Sequence, residues 1–283
     1  MKILLTGANG FLGRCIYTKI VAEGVEIFQT SRNGFNNTIA CDLTSKIAVK
    51  MLLENITPDV IIHCAAFVPK ISSDYQNNKM TSINSIMLKN ILKFSISKII
   101  YISSMTVYGY SGKQIRLESD LLQPESAYAK SKFDGENLLK YDGRDSLIIR
   151  IPGLFGKERS SGIVSNTLKA LINKCTDITL PNKPILWAAM SVEDASTSIV
   201  KLLLNADFKG YTPINIGYDD IYSIRRFVEL CEEIFGVNLG YKVNHPEFQF
   251  DLRLLNFFNA LPKNNLKESL LELRRFYEHE DSK

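Results

Sequence analysis

The chain opens on Lys2-Ile3-Leu4-Leu5-Thr6 and runs directly into Gly7-Ala8-Asn9-Gly10-Phe11-Leu12-Gly13. A short apolar strand, a glycine-rich loop and a helix-like segment from Leu12 to Glu23 leave few folds open. Gly7 lets the chain turn tightly, Gly10 lets a pyrophosphate approach the backbone, and Gly13 lets the helix lie close to the sheet. The phosphates would then meet the positive end of that helix. The spacing is GxxGxxG rather than GxGxxG, and such a loop can also be a plain turn. Its strand-loop-helix setting favours dinucleotide binding, with Gly7, Asn9, Gly10, Phe11, Leu12 and Gly13 as candidate contacts.

The next segments keep the same rhythm. Val25 to Thr30 reads as a strand, residues 44–55 as a helix ending before Pro58, and Val60-Ile61-Ile62-His63-Cys64 as a buried β-branched strand. Ile83 to Phe94 is helical in pattern, Ile99 to Ser103 a strand, Ala127 to Tyr141 a helix and Ser146 to Ile151 a strand. Apolar strands of four to six residues alternating with helices predict a doubly wound parallel sheet covered on both faces. After Gly156 the rhythm loosens. Helices are expected at Ile163 to Asn173, Val192 to Leu204, Ser223 to Phe235 (capped by Ser223) and Leu266 to Tyr277, with a strand at Thr212 to Ile216. Residues 1–156 read as the dinucleotide-binding core, and 157–283 as a mixed region, mainly a smaller lobe, with some segments returning to the core.

The end of the second strand bears on which dinucleotide binds. An acidic residue there would bond the adenosine ribose and repel a 2′-phosphate. This chain has Thr30-Ser31-Arg32-Asn33 instead. Arg32 would pair with a 2′-phosphate and Ser31 would add a hydroxyl donor, so NADP(H) is favoured with NAD(H) as the alternative. Asp42, in Cys41-Asp42-Leu43, would bond the adenine edge, cap the helix beginning near Thr44, or do both.

Tyr128 and Lys132 lie four apart on one helix face, in Tyr128-Ala129-Lys130-Ser131-Lys132. A phenol with a pKa of about 10 is a poor acid or base at neutral pH. A neighbouring ammonium and a cationic nicotinamide would favour its phenolate. Tyr128 would then exchange a proton with a carbonyl or alcohol oxygen, and Ser104 would give that oxygen a second hydrogen bond. Lys130 falls on another face. YxxxK recurs by chance on ordinary helices; the glycine loop and a strand-ending serine give it weight.

Composition narrows the setting. The 283 residues can bury a large core, and 34 Lys+Arg against 30 Asp+Glu leave a net charge of +4 with no dense basic block, so no nucleic acid is expected. Five cysteines without CxxC spacing and only three histidines form no metal cluster, which points to a reduced intracellular protein. With no leader and no run long enough to span a bilayer, the expected place is the cytoplasm, without a membrane.

Taken together, TGANGFLG at 6–13, CDL at 41–43, HCAA at 63–66, ISSMTVYG at 102–109, YAKSK at 128–132 and IRIPGLFG at 149–156 resemble the extended short-chain dehydrogenase/reductases, the NAD-dependent epimerase/dehydratase family of nucleotide-sugar enzymes. The likeness covers residues 1–205 well and the remainder loosely. It implies a Rossmann-like sheet with a smaller C-terminal substrate-binding lobe, and it places Ser104, Tyr128 and Lys132 at the family's catalytic positions. It also implies that Lys132 holds the nicotinamide ribose, that Leu43, Ala65, Ala66 and the segment from Pro152 run beside the cofactor, and that Thr106 touches the sugar. Asn84 falls where the family has an asparagine of structural or substrate-positioning use. Asn166, Lys169 and Arg253 would meet a diphosphate or base, each with plain surface exposure as its alternative. Glu118 and Asp120 would line a sugar pocket or simply solvate a loop. Met190-Ser191-Val192-Glu193-Asp194-Ala195 resembles the stretch joining the two lobes.

The family's 4,6-dehydratases carry Asp-Glu after the serine/threonine position, whereas this chain has Met105-Thr106, which argues against dehydration. Two enzyme readings remain: an NADPH-consuming reductase of the C4 keto group of a nucleotide-linked 4-keto-6-deoxy sugar, and an NAD-retaining epimerase. The Ser31-Arg32 ending, the shorter chain and the stretch from Gly162 to Leu168 look more like the reductases. A non-catalytic NAD(P)-binding regulatory protein is the third reading. The resemblance further implies a homodimer through a helix pair.

Overall fold

The computed structural model describes residues 1–69, 76–77, 79–110, 113–159 and 161–280, without the side chains of Met80 and Thr81. Its centre is a seven-stranded sheet in which every neighbouring pair is parallel. The strands are β1 (Lys2–Thr6), β2 (Glu26–Ser31), β3 (Ile39–Ala40), β4 (Val60–His63), β5 (Lys98–Ser104), β7 (Ser146–Ile151) and β10 (Tyr211–Asn215). Their spatial order is β10-β7-β5-β4-β1-β2-β3. The chain winds outward from β1 through β2 to β3, then returns to β4 and winds the other way. That reversal opens a crevice at the carboxyl ends of β1 and β4, the place where such sheets bind ligands.

Both faces are buried because the strands carry apolar residues at odd and even positions alike. Ile3, Leu5, Ile62, Ile100, Ile102, Leu147 and Ile149 join one core, whereas Leu4, Ile61, Ile99, Tyr101 and Ile148 join the other. Helices α2 (Lys46–Ile56), α3 (Lys79–Phe94) and α4 (Ala127–Asp142) cover the second face. Helices α1 (Phe11–Ala22) and α6 (Val192–Asn205) cover the first. Among the described residues, no helix is long and apolar enough to cross a membrane.

The later part of the chain is not a separate body. The first core continues without a break into α5 (Ile163–Ile172), α7 (Ile224–Phe235) and α9 (Leu266–Glu280), and β10 returns to the edge of the main sheet. Two small parallel pairs finish the lobe: β8 (Gly153–Phe155) with β9 (Ala189–Ser191), and β6 (Ile115–Arg116) with β11 (Gln249–Phe250), which leads into α8 (Arg253–Phe257). Ser223 caps α7 as expected, accepting from Arg226 N–H. The cap of α2 differs from expectation: Ser45 supplies it, while Asp42 closes the preceding turn on Thr44.

Gly13 shows how tightly α1 lies on the sheet: a Cβ there would come within 2.2 Å of the Gly7 carbonyl oxygen. Gly24, by contrast, has positive φ (+70°), and a Cβ there meets open space. Gly13→Ala is therefore expected to lower unfolding free energy by ~3 kcal/mol or more through overpacking, and Gly24→Ala by ~1–2 kcal/mol through its backbone conformation alone. Chemical denaturation of the two variants checks the order.

Candidate active site

The glycine turn is built against the end of β4. Gly7 has φ +70°, and a Cβ there would lie 2.7 Å from both N and Cα of Ala65. Thr6 reinforces the junction: its Oγ1 accepts from Ala65 N–H (3.2 Å) and meets His63 Nδ1 (2.9 Å). Helix α1 starts with Gly10 as its N-cap, has no side-chain cap and no acidic residue in its first turn. By contrast α2, α4, α6 and α7 are each capped by a serine. A turn that comes closest to the backbone at Gly7 and Gly10, with Ala8 turned into the core, under an uncapped helix end suits a pyrophosphate, so these residues fit a dinucleotide. Phe11 and Leu12 begin the helix, Leu12 buried in the core and Phe11 packed beside Gly156.

Asn9 ties this turn to the loop after β2. Its Nδ2 donates to the Phe35 carbonyl (3.0 Å) and its Oδ1 accepts from Asn36 (3.4 Å). Ser31 is already engaged: its Oγ accepts from Gly34 N–H (3.1 Å) and lies 2.5 Å from Thr38 Oγ1, which itself donates to the Phe35 carbonyl. Ser31 therefore shapes the loop, and its proton goes to Thr38 rather than standing free. Arg32 is exposed, with no hydrogen bond or ion pair among the described residues, and Asp42 lies within its electrostatic reach. The Asp42 carboxyl is held below the usual carboxylate range chiefly by the Thr44 N–H, then by the Thr44 hydroxyl. Leu43 is buried, and its carbonyl accepts from Asn90 (2.9 Å).

Ala65 and Ala66 are half-buried where β4 gives way to loop. The following residue, Phe67, is clamped by Asn84, which accepts from its N–H (2.7 Å) and donates to its carbonyl (3.3 Å). Asn84 also donates to Ser131 Oγ (3.0 Å), whose own proton goes to the Tyr128 carbonyl (2.7 Å). The asparagine thus fastens the loop beside Ala65 to the first turns of α4.

Ser104 ends β5 and caps the 3-10 turn Met105–Tyr108. Its Oγ accepts from Thr106 N–H (3.3 Å) and from Thr106 Oγ1 (3.0 Å). With both lone pairs used, the Ser104 proton is left to donate outward. On α4, Tyr128 is half-buried and Lys132 is 3% exposed, its Nζ lying 6.0 Å from the centre of the Tyr128 ring. Lys132 donates to the Ile102 carbonyl (2.7 Å) and stands over the Tyr101 ring (5.1 Å). Burial pushes its ammonium down to about 8, with Cys64 and Glu136 acting the other way. Lys130 is exposed on another face.

The residues expected to bind substrate are less gathered. Thr106 adjoins Ser104 directly. Asn166 is exposed on α5, and Lys169 stands over the Tyr277 ring at 4.8 Å. Arg253 is held by Asp251 (2.6 Å) and lines, with Asp219 and Gln249, a concavity of about 330 Å³. Glu118 and Asp120 are not loosely solvated: Glu118 accepts from Asn215 N–H (3.0 Å) and Asp120 from Leu117 N–H (2.9 Å).

Sequence reasoning missed one buried pair beneath the site. Arg150 on β7 and Glu136 on α4, 2% and 1% exposed, form a bidentate ion pair with Nη2–Oε2 at 2.8 Å and Nε–Oε1 at 3.1 Å. The available signal was an arginine inside the apolar run Leu147-Ile148-Ile149-Arg150-Ile151, and a glutamate one turn past Lys132.

A doubly wound sheet with a serine ending β5 and a tyrosine and lysine four apart on α4 has the plan of the extended short-chain dehydrogenase/reductases. Residues 1–179 match the family described as the RmlD substrate binding domain, and the chain belongs to that family. It is similar to methionine adenosyltransferase 2 subunit beta of Xenopus laevis, 28% identical over 159 residues, 55% of this chain and 47% of that one, so it spans about half the length of that relative. It is also similar to GDP-6-deoxy-D-talose 4-dehydrogenase of Aggregatibacter actinomycetemcomitans, 29% identical over 258 residues, 86% of this chain and 83% of that one. Its fold is that of RMD from Pseudomonas aeruginosa complexed with NADPH, with a TM-score of 0.80 at 19% identity and coverage of 98% and 99% of the two chains.

His63 supplies a test of the site's electrostatics. Burial, aided by the Lys132 ammonium, pushes its imidazole from 6.5 down to about 3. The unfolded chain takes up this proton near 6.5 and the folded protein only near 3. The stabilisation is thus complete above about 6.5 and is lost as pH falls through that window, at ~1.4 kcal/mol per unit at most. His63→Asn, which keeps a hydrogen-bonding group near Thr6, should flatten the stability slope between pH 7 and 4 by about one proton. Denaturant titrations across that range measure it.

Proposed function

We propose that this protein is an NAD(P)-dependent oxidoreductase that reduces the C4 keto group of a nucleotide-linked 4-keto-6-deoxy sugar, with NADP(H) as its cofactor. The observation that carries the reading is the arrangement around Ser104. Its acceptor capacity is filled by Thr106 and its proton is free, while α4 presents Tyr128 beside a nearly dry ammonium. Ser104 donates to the carbonyl oxygen of the sugar and Tyr128 delivers a proton to it. The ammonium of Lys132, fixed by the Ile102 carbonyl, favours the phenolate that remains and keeps two N–H groups for the ribose hydroxyls. Reduced nicotinamide supplies the hydride when bound.

The cofactor lies along Gly7, Asn9 to Gly13, Ala65 and Ala66, with the adenine edge near Asp42 and Leu43. Arg32 favours the 2′-phosphate because it is exposed just after β2, and the strand-end stretch Thr30-Ser31-Arg32-Asn33 carries no carboxylate. Ser31 assists by shaping the loop. Residues 1–156 carry this machinery; the later lobe supplies substrate contacts, with Thr106, Asn166 and Arg253 as candidates. A second copy would dock on the outer face of α3 and α4, where Lys89, Asp134 and an 85% exposed Tyr141 line a concavity of about 260 Å³. A second reading is a non-catalytic NAD(P)-binding regulatory protein; the likeness to a protein named as a subunit of another enzyme supports it.

Two variants separate these readings. Tyr128→Phe should lower kcat by about 100-fold or more while NADPH still binds, because only the proton donor is lost. Arg32→Ala should weaken NADPH binding by about 10-fold or more and leave NADH nearly unchanged, since a charge-assisted contact to the 2′-phosphate is worth ~1.5–3 kcal/mol. Steady-state kinetics and cofactor titration check both. NADPH binding without oxidation against GDP-, dTDP- and CDP-linked 4-keto sugars would favour the regulatory reading, and copurified NAD would favour an epimerase.

A further inference from the structure

We propose that Ser103, Glu136 and Arg150 form a positioning unit that fixes the height and register of α4 over β5, and so sets the separation between Ser104 and the Tyr128–Lys132 pair; the inference rests on the oxidoreductase reading above. Tyr128, Lys132 and Glu136 follow one another at four-residue steps on one face of α4. On the strand side, three consecutive residues of β5 engage the site. The Ile102 carbonyl accepts from Lys132 (2.7 Å), Ser103 Oγ donates to Glu136 Oε1 (2.5 Å), and Ser104 carries the free hydroxyl.

Ser103 and Arg150 are lateral partners on β5 and β7, and both hold the same carboxylate. Tyr211 on β10 adds a bond to Glu136 Oε2 (2.8 Å). The other end of Arg150 is tied to Tyr108 Oη (2.9 Å) and the Glu118 carbonyl (3.0 Å), so the unit also grips the 3-10 turn that follows Ser104. A helix held only by apolar contacts can slide by fractions of an ångström. A carboxylate receiving four hydrogen bonds on two oxygens has one low-energy position. Proton transfer across the cleft is sensitive to displacements of about 1 Å, so this fixing acts on rate rather than on cofactor affinity.

The groups facing Lys132 are Cys64 beyond β4, His63 on β4, Tyr101 on β5, and Tyr128 and Glu136 on α4. Of the anionic or ionisable ones, Cys64 and Glu136 support its charged form. Removing Glu136 together with Arg150 takes away no net charge, so a displaced Lys132 titration in that variant reports a change in the placement of α4 over β5.

The test compares Ser103→Ala, which spares the ion pair, and the charge-neutral double variant Glu136→Gln/Arg150→Met with the wild-type protein. Three readouts are taken: kcat and KM, NADPH affinity, and the titration of Lys132 by NMR of 13Cε-labelled lysine. The double variant should lose about 10-fold or more in kcat, keep NADPH affinity within about 3-fold, and show both the Lys132 titration and the alkaline limb of kcat displaced from the wild-type values as α4 shifts. Ser103→Ala should lower kcat about 3- to 10-fold at unchanged KM and shift the Lys132 resonance. If the double variant does not fold, Ser103→Ala decides. Folded variants with kcat within twofold of wild type and an unmoved Lys132 overturn the inference. If the wild-type protein reduces no nucleotide sugar, the functional reading fails separately, and the Lys132 resonance alone decides the positioning.

Discussion

Between the ends of β1 and β4 the backbones approach so closely that a Cβ on Gly7 would lie 2.7 Å from Ala65 N and Cα. A second approach, Gly13 against the Gly7 carbonyl, brings α1 down onto the same turn. These contacts follow from the winding reversal between β1 and β4, which leaves the carboxyl ends of neighbouring strands open to one crevice. Everything proposed for the cofactor depends on them. The helix end is free of a side-chain cap, glycines stand at positions 7 and 10 of the turn beneath it, and the loop at Ala65 lies beside Gly7. Thr6 and Asn84 then fasten that loop to β1 and to α4.

The other half of the site is held by charge. Lys132 is almost dry, and its ammonium is kept by the Ile102 carbonyl, the Tyr101 ring and the nearby Glu136. Glu136 in turn is neutralised by Arg150. Removing one member of such a buried pair costs ~3–5 kcal/mol, because the other charge is left without a partner. An apolar pair of equal volume could support the fold as well, which makes geometry the more informative reason for an ion pair at this place. The later lobe rests on the same core, so no separate domain boundary divides it from the residues proposed to hold the cofactor.

Much of this was legible in the sequence because the physics there is local. Strands buried on both faces read as unbroken apolar runs, and the eight longer helices among the described residues follow their 3.6-residue apolar period. Boundaries moved where that period was silent: α3 begins at Lys79 rather than Ile83, since its first turn is polar. Strands of two or three residues, such as β6, β8, β9 and β11, have no period to detect and exist only through their partners. The same limit hid Glu136 and Arg150, whose meaning lies in a contact between a helix and a strand. Ser31 and Asp42 looked available to a ligand because a sequence does not show that Thr38 and Thr44 already hold them. Substrate contacts in the later lobe were the least legible, as Arg253, expected to meet a ligand, is bound by Asp251 two positions away.

The central claim is that hydride passes over this site to a sugar C4 while the protein supplies the proton. Its most direct test uses NADPH carrying deuterium at the transferable C4 position, incubated with a nucleotide-linked 4-keto-6-deoxy sugar, with the product read by NMR. The account predicts one NADP⁺ formed per sugar and deuterium at the sugar C4 in a single configuration. Unconsumed NADPH, or a product without the label at C4, would contradict it.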